Sequence, residues 1–340
     1  MREALFIKKN AEKWKDFQHS PTDNPDEKAE RFISLIDDLS YAKSFYPKSK
    51  VTHWVNGIAA GIYQSIYQNK KEKYSRIFQF WKIELPLLFK KYHRIFLFTA
   101  SLFMVFVAIG YLSSKYNENF ARGILGSDYV DMTEENIAKG DPFGVYKNDN
   151  PFSMFVRIGF NNIRVAFLTF IGGFTLGLFT MKILWGNGVM LGAFEYLFIS
   201  KGIGLQSVLV IWIHGTLEIS AIVISATAGF VLASSILFPG TYRRIVSFRR
   251  GAKDAAKILI CLVPVFIVAA FFESYVTHLM SQAYDKEKNF GLPAWASIII
   301  LTSSLSFIVW YFIILPIRLH QKGYSIQPDG IINRLNQAHA

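Results

Sequence analysis

Long unbroken apolar runs alternate with short polar stretches along this chain, and the runs are too long for strands. A helix needs about 20 apolar residues to cross roughly 30 Å of hydrocarbon. Four runs meet that requirement: Ile95 to Leu112, Val165 to Trp185, Ile258 to Val276 and Ala294 to Ile317. A fifth, from about Ser207 to Phe238, reads "LVIWIHGTLEISAIVISATAGFVLASSILF" over most of its length and carries His214 and Glu218 inside. Asn187 to Ser200 is shorter, and as a helix its fourteen residues would reach only about 21 Å.

Charge decides whether that short segment crosses. Residues 1 to 94 hold 18 Lys/Arg against 11 Asp/Glu, whereas Ser114 to Arg164 hold six against seven. Basic segments stay in the cytoplasm. With the N-terminal region inside, the second span returns near Lys182. The short helix must then cross again if the loop Thr241 to Lys257, with six Lys/Arg and one Asp, is to lie inside. The alternative, a re-entrant segment at 187–200, needs cover from protein or water and would leave the most basic loop outside.

The predicted architecture is therefore all-α, a polytopic membrane helix bundle of about six transmembrane helices with both termini cytoplasmic. Spans are expected at 95–112, 165–185, 187–200, 207–238, 258–276 and 294–317. Residues 1–92 form a cytoplasmic helical domain, 93–320 the bundle with an outer loop at 114–160, and 321–340 a cytoplasmic tail. A composition of 51% hydrophobic and 16% aromatic residues agrees with a membrane protein. The formal charge of +12 comes with no nucleic-acid-reading motif, so nucleic acid is not an expected partner. Cys261 is the single cysteine, so no disulfide can form within the chain. The start, "MREALFIKKNAEKW", lacks the apolar core of a signal peptide, and insertion is expected to begin at an internal span.

In the N-terminal domain, Asp23 and Asn24 precede Pro25 as a helix cap, and Phe32, Leu35, Ile36 and Leu39 recur at helical spacing until Pro47 ends the run. Val55, Ile58, Ile62 and Ile66 repeat the pattern in a partner helix. Lys71 to Arg94 mixes basic residues with Phe78, Phe80, Trp81 and Leu85; it reads either as an interfacial helix at the inner leaflet or as a helix docked on the preceding domain. The outer loop is punctuated by Gly and Pro, with a short helix expected from Thr133.

Ionisable residues inside spans are costly, which makes them candidate functional groups. They are Glu195, His214, Glu218 and Glu273; Asn161, Asn162 and Arg164 are expected just before the second span, and Asn187 opens the third. From a rise of about 1.5 Å per residue, His214 is expected roughly 10 Å deep from the outer side, Glu218 roughly 16 Å, and Glu195 about 12 Å from the inner side. His214 and Glu218, four apart, share one helix face. That is also the spacing of two metal ligands, but HExxH is missing and no third ligand stands at a diagnostic distance. Three readings follow: hydrogen bonding between helices, which is favoured, a proton or substrate relay, and a metal site at His214 and Glu218, to which Glu273 is a candidate addition. No catalytic residue, cofactor or metal is assigned. Gly173 and Gly177, Gly188 and Gly192, and Ser225 and Gly229 form small-xxx-small pairs that let helices approach closely. No phosphate loop, GxSxG elbow or CxxC pair is present.

Five blocks, "DDLSYAKSFYPKS", "NNIRVAF", "NGVMLGAFEY", "IHGTLEISAIVI" and "FPGTYRR", together resemble the stage II sporulation protein M (SpoIIM, DUF95) family over roughly residues 1 to 320. The resemblance implies a helical protein of the bacterial inner membrane. It also implies a platform role, since the sporulation member works beside a peptidoglycan amidase and a lytic transglycosylase. Family motifs coincide here with Asn161, Asn162, Asn187, Gly188, His214, Gly215, Glu218, Pro239 and Gly240, without a catalytic assignment. The expected function is a non-enzymatic scaffold for envelope partners; the alternatives are a transporter or lipid flippase and a metal-dependent membrane hydrolase. Expected partners are the lipid bilayer, peptidoglycan hydrolases, RDD-family membrane proteins, MoxR-type ATPases and further copies of the chain.

Overall fold

The structure, a computed structural model, describes residues 2–22, 24–67, 74–144, 150–282, 291–326 and 332–334. Expectations that fall on Asp23, on Gln68 to Lys73, on Val145 to Asp149 and on most of the 321–340 tail lie outside these residues. Two compact units result, Met1–Arg76 and Ile77–Ala340.

Among its described residues the first unit packs α1 (Glu3–His19), α2 (Pro25–Phe45) and α3 (Lys50–Tyr67) together. Asn24 caps α2 by accepting from the Asp26 backbone N–H, and Pro25 occupies the first turn, where its missing N–H costs nothing. Leu35, Leu39 and Ala42 of α2 pack with Phe6 and Trp14 of α1 and Val51, Val55 and Ile58 of α3. Trp14 is fully buried, and its indole N–H donates to Asp38 at 2.8 Å. Ile36 corrects the expected apolar face: it is exposed, because the buried stripe of α2 runs through residues 35, 39 and 42.

The expected boundary at residue 92 also moves. Residues from Ile77 onward belong to the second unit, as the second half of α4 (Tyr74–Gln79), a π-helical turn (Phe80–Glu84) and α5 (Leu85–Lys91). Leu85, Leu88 and Phe89 join the bundle core, and the Phe89 ring meets Phe312 edge-on at 4.7 Å. Tyr311 donates to the Trp81 carbonyl at 2.6 Å, and Glu84 pairs with Lys257. From Ile77 to Lys91 the segment is thus docked on the bundle that follows it.

Tyr92 closes this joint by donating its hydroxyl to Asp254 at 2.8 Å, beside Lys91, whose ammonium lies 2.6 Å from the same carboxylate. Burial, and then the Asp254 charge, push the Tyr92 phenol well above its ordinary pKa, so it stays a donor. Tyr92→Phe is expected to cost about 1.5 kcal/mol, the worth of a hydrogen bond to a charged acceptor. A lowered thermal midpoint of the full chain in detergent measures it.

Among the described residues, six helical stretches are long and apolar enough to cross a membrane. Their main helices are α6 (His93–Tyr116), α9 (Pro151–Ile171), α10 (Leu178–Ser200), α11 (Gly204–Leu237), α12 (Arg244–Phe271) and α14 (Ala294–Val309), the last two reaching full span length, Arg244–Gln282 and Ala294–Gln321, with the helical turns that follow them. Between α6 and α9 lie α7 (Glu118–Leu125) and α8 (Ser127–Lys139), so the short helix expected from Thr133 starts six residues earlier. A π-helical turn (Phe272–Thr277) and α13 (His278–Gln282) prolong α12; another (Trp310–Ile314) and α15 (Leu315–Gln321) prolong α14. The tail adds a two-stranded antiparallel ribbon, β1 (Tyr324–Ile326) with β2 (Ile332–Arg334).

The second and third spans differ most from expectation. The run 165–185 is not one helix: α9 begins at Pro151, capped by Asn150, and ends in a tight turn over Gly172–Gly177. Gly177 adopts φ +87°, a conformation that glycine reaches without steric cost, and Leu176 shares the left-handed region. The third helix therefore starts at Leu178 and runs 23 residues, about 34 Å, instead of fourteen. The basic stretch Thr241 to Lys257, expected as a loop, is helical from Arg244 onward and forms the first turns of α12.

Packing partners give helix directions. Gly188 faces Phe103 and Phe106 while Gly192 faces Val107 and Tyr111, so α10 and α6 run parallel. Asn162 meets Glu218, and Gly173 meets Gly229, so α9 and α11 are parallel as well. Pairs 235 with 251 and 214 with 277 make α11 and α12 antiparallel. α11 is the central strut, buried almost continuously from Ala221 to Ala233.

Candidate functional site

Helical spacing puts His214 and Glu218 on one side of α11, and α12 faces them through its π-helical turn, which presents Glu273 and Thr277. One extra residue per turn re-aims side chains locally, and such π-bulges recur at functional sites. A ring nitrogen of His214 and one carboxylate oxygen each from Glu218 and Glu273 lie within 4.8 Å of one another. The two carboxyl groups are also within hydrogen-bonding reach of each other.

The surrounding bonds orient these groups. Asn162 of α9 donates its amide to Glu218 at 2.6 Å. His214 Nδ1 is 2.9 Å from the Thr277 hydroxyl, which itself donates to the Phe272 carbonyl at 3.1 Å. With its one hydrogen given to the Phe272 carbonyl, that hydroxyl accepts from the imidazole, the arrangement in which the proton is on Nδ1 and the lone pair on Nε2. His214 is 4% exposed, so this tautomer is held by protein, not by solvent. Arg157, exposed on α9, is within electrostatic reach of Glu273.

The three groups line a cavity of about 370 Å³. Glu195 of α10 borders it too, and its carboxylate accepts the Trp212 indole N–H at 2.8 Å. Ile124 and Leu125 of α7 and Tyr129 of α8 cover one side. Lys201, in the turn between α10 and α11, pairs with Glu134 of α8 at 2.7 Å, and Arg122 of α7 pairs with the same residue at 2.9 Å. These ion pairs fasten the short helices over that end of the bundle.

Depths change with the helix ends. His214 and Glu218 stand ten and fourteen residues into α11, roughly 15 and 21 Å along it. Glu195 stands only five residues before the end of α10, so it is near the α7–α8 end and not approaching the midplane from the other side. Asn161 and Arg164, expected before the second span, lie within α9 on its exposed side. Asn187 donates to the Ile183 carbonyl of its own helix and does not reach the cavity.

The small residues work elsewhere. Gly188 and Gly192 seat α10 on α6, and Gly229 admits the Thr169 carbonyl and Thr180 hydroxyl. Gly173 sits against Gly229, while Gly177 belongs to the turn, so these two do not form one face of a span. Ser225 donates to the Ile222 carbonyl within α11. Thr277 and Trp212 were not singled out from sequence. Thr277 stands four residues after Glu273 and could have been paired with it by spacing, whereas nothing about Trp212 marks it.

Comparison with known proteins agrees with the two-unit division. Residues 4–68 match a domain of unknown function, DUF8413. An uncharacterized protein of Methanocaldococcus jannaschii is 32% identical over 122 residues, which cover 34% of this chain and 67% of that protein. No solved structure matches the chain. Residues 99–278, more than half of the chain and including Asn162, Glu195, His214, Glu218 and Glu273, match the family model of stage II sporulation protein M. The chain belongs to that family.

Proposed function

We propose that this membrane protein handles a small cation in the chamber between α9, α10, α11 and α12, as a transporter with its working groups at His214, Glu218 and Glu273. The observation that carries this reading is the meeting of two carboxyl groups and an imidazole in one buried place. Polar glue between helices needs a donor for each acceptor, and Asn162 with Glu218 already makes such a pair. A second carboxyl group, Glu273, stands against the first, so the pair needs a shared proton or a bound cation between them, and each ionisable group at a span centre costs about 2.5–3.5 kcal/mol on insertion scales. A bound cation offsets that cost. Cation flux into proteoliposomes, abolished by Glu218→Gln at equal incorporation, tests the reading; absence of flux for protons and for a panel of mono- and divalent cations would refute it.

The scaffold role is a second reading, favoured by a separate observation. The first unit keeps large apolar side chains exposed, including Ile33 and Phe45, and carries a groove lined by Phe17, Arg31, His53 and Trp54. Such a surface suits recruitment of envelope proteins such as peptidoglycan hydrolases. Removal of residues 1–76 is expected to abolish partner capture while leaving flux intact. The charge asymmetry supports the topology that goes with both readings, a cytoplasmic membrane with both termini inside.

A further inference from the structure

The donor set of the chamber narrows the cation. We propose that His214 Nε2, Glu218 and Glu273 bind one divalent first-row metal ion of the zinc class, leaving a fourth position open to the cavity; this rests on reading the chamber as a cation site.

Three protein ligands with an open position are the usual form of a working zinc site. Ligand atoms about 2.1 Å from a common tetrahedral ion are roughly 3.4 Å apart, so closing from within 4.8 Å needs movements of at most about 1 Å. Two glutamate side chains, each with three torsions, supply that freedom. Around the ligands stand the supports that metal sites require. Thr277 holds the imidazole in the tautomer whose lone pair is on Nε2, and Asn162 fixes one oxygen of Glu218 while leaving the other.

Charge and ligand type select the ion. Two carboxylates and a divalent ion sum to zero, which suits a site inside a membrane bundle, whereas a monovalent ion leaves a residual charge. Arg157 offsets only one carboxylate and is exposed. With it and the metal both present, the open position favours an anionic fourth ligand such as hydroxide. Calcium and magnesium take six or more oxygens, and copper(I) prefers thiolate. An imidazole with two carboxylates, and a cysteine that bonds to the Ile258 carbonyl of its own helix, fits neither.

The test uses the full chain in detergent, stripped with a chelator and reloaded with Zn2+ or Co2+. One equivalent per chain by elemental analysis, with Co2+ giving strong visible d–d bands, is expected. Glu273→Gln and His214→Gln should each weaken Zn2+ binding at least 100-fold, and Thr277→Val about 10-fold as an orienting partner. If His214→Gln fails to fold by circular dichroism, Glu273→Gln and Thr277→Val decide. No stoichiometric metal in folded wild-type protein, or wild-type affinity in Glu273→Gln, overturns the proposal. Flux of protons or monovalent cations that persists in the stripped protein without added divalent metal and is lost in Glu218→Gln also overturns it while leaving the cation reading intact. Stoichiometric, mutation-sensitive metal without any flux supports the site and removes the transport reading instead.

Discussion

Gly192→Leu is expected to disrupt the bundle more than any other single substitution considered. A Cβ at this position would run into the Val107 carbonyl oxygen and come within 2.6 Å of the Tyr111 backbone nitrogen and 3.0 Å of the Gly110 carbonyl carbon. Main-chain atoms cannot rotate aside as a side chain can, so α10 must lift off α6. The contact is reciprocal: a Cβ at Gly110 would strike the Val189 backbone. Overpacking costs typically 1–3 kcal/mol where side chains can adjust, and about 3 kcal/mol or more is expected here. That is a large part of a total stability of about 5–15 kcal/mol. The thermal midpoint in detergent should fall by about 6–12 °C. Gly186→Leu is the control, because a Cβ there meets nothing within 4 Å, and it is expected to be neutral or slightly stabilising. Equal tolerance at both positions would contradict the close parallel packing of α6 and α10.

Glu273→Gln is expected to lower cation flux at least 100-fold with the fold intact. The amide has the size of the carboxyl, so packing around the π-helical turn is kept. It supplies no negative charge, and on the chamber account the cation then loses one of its two carboxylates. Glu195→Gln should behave differently. Glu195 borders the cavity but accepts from Trp212 and stands outside the cluster of His214, Glu218 and Glu273, so a change of less than about 10-fold is expected. Flux at a fixed ion gradient, corrected for protein per liposome, separates the two. Equal losses for Glu195→Gln and Glu273→Gln would spread the function over the whole cavity instead of the cluster.

The helical bundle was legible because hydropathy reports apolar length directly. Where helices break was not. Hydropathy runs unchanged through Gly172–Gly177, and only the left-handed conformations of Leu176 and Gly177 divide one apparent span into the ends of two helices. Charge located the basic stretch before α12 but carried no information about its shape, and Arg, Lys and Ala there simply continue the helix. In the site, His214 and Glu218 were readable as neighbours from a spacing of four. Their meeting with Glu273, 55 residues beyond Glu218, depends on antiparallel packing of α11 with α12 and on the π-helical turn. Asn161 and Asn162 looked equivalent, yet adjacent helix positions point about 100° apart, and only Asn162 reaches Glu218.

The central claim is that the cluster is a working chamber and not the structural glue of the bundle. The thermal midpoint of the Glu218→Gln/Glu273→Gln double variant, compared with chelator-stripped wild type in the same detergent, decides between them. The chamber account predicts a midpoint equal to or above that of the stripped wild type, because two buried carboxyl groups are exchanged for neutral amides of the same size. A midpoint lowered by several degrees would contradict it and identify the carboxyl groups as interhelical fastening.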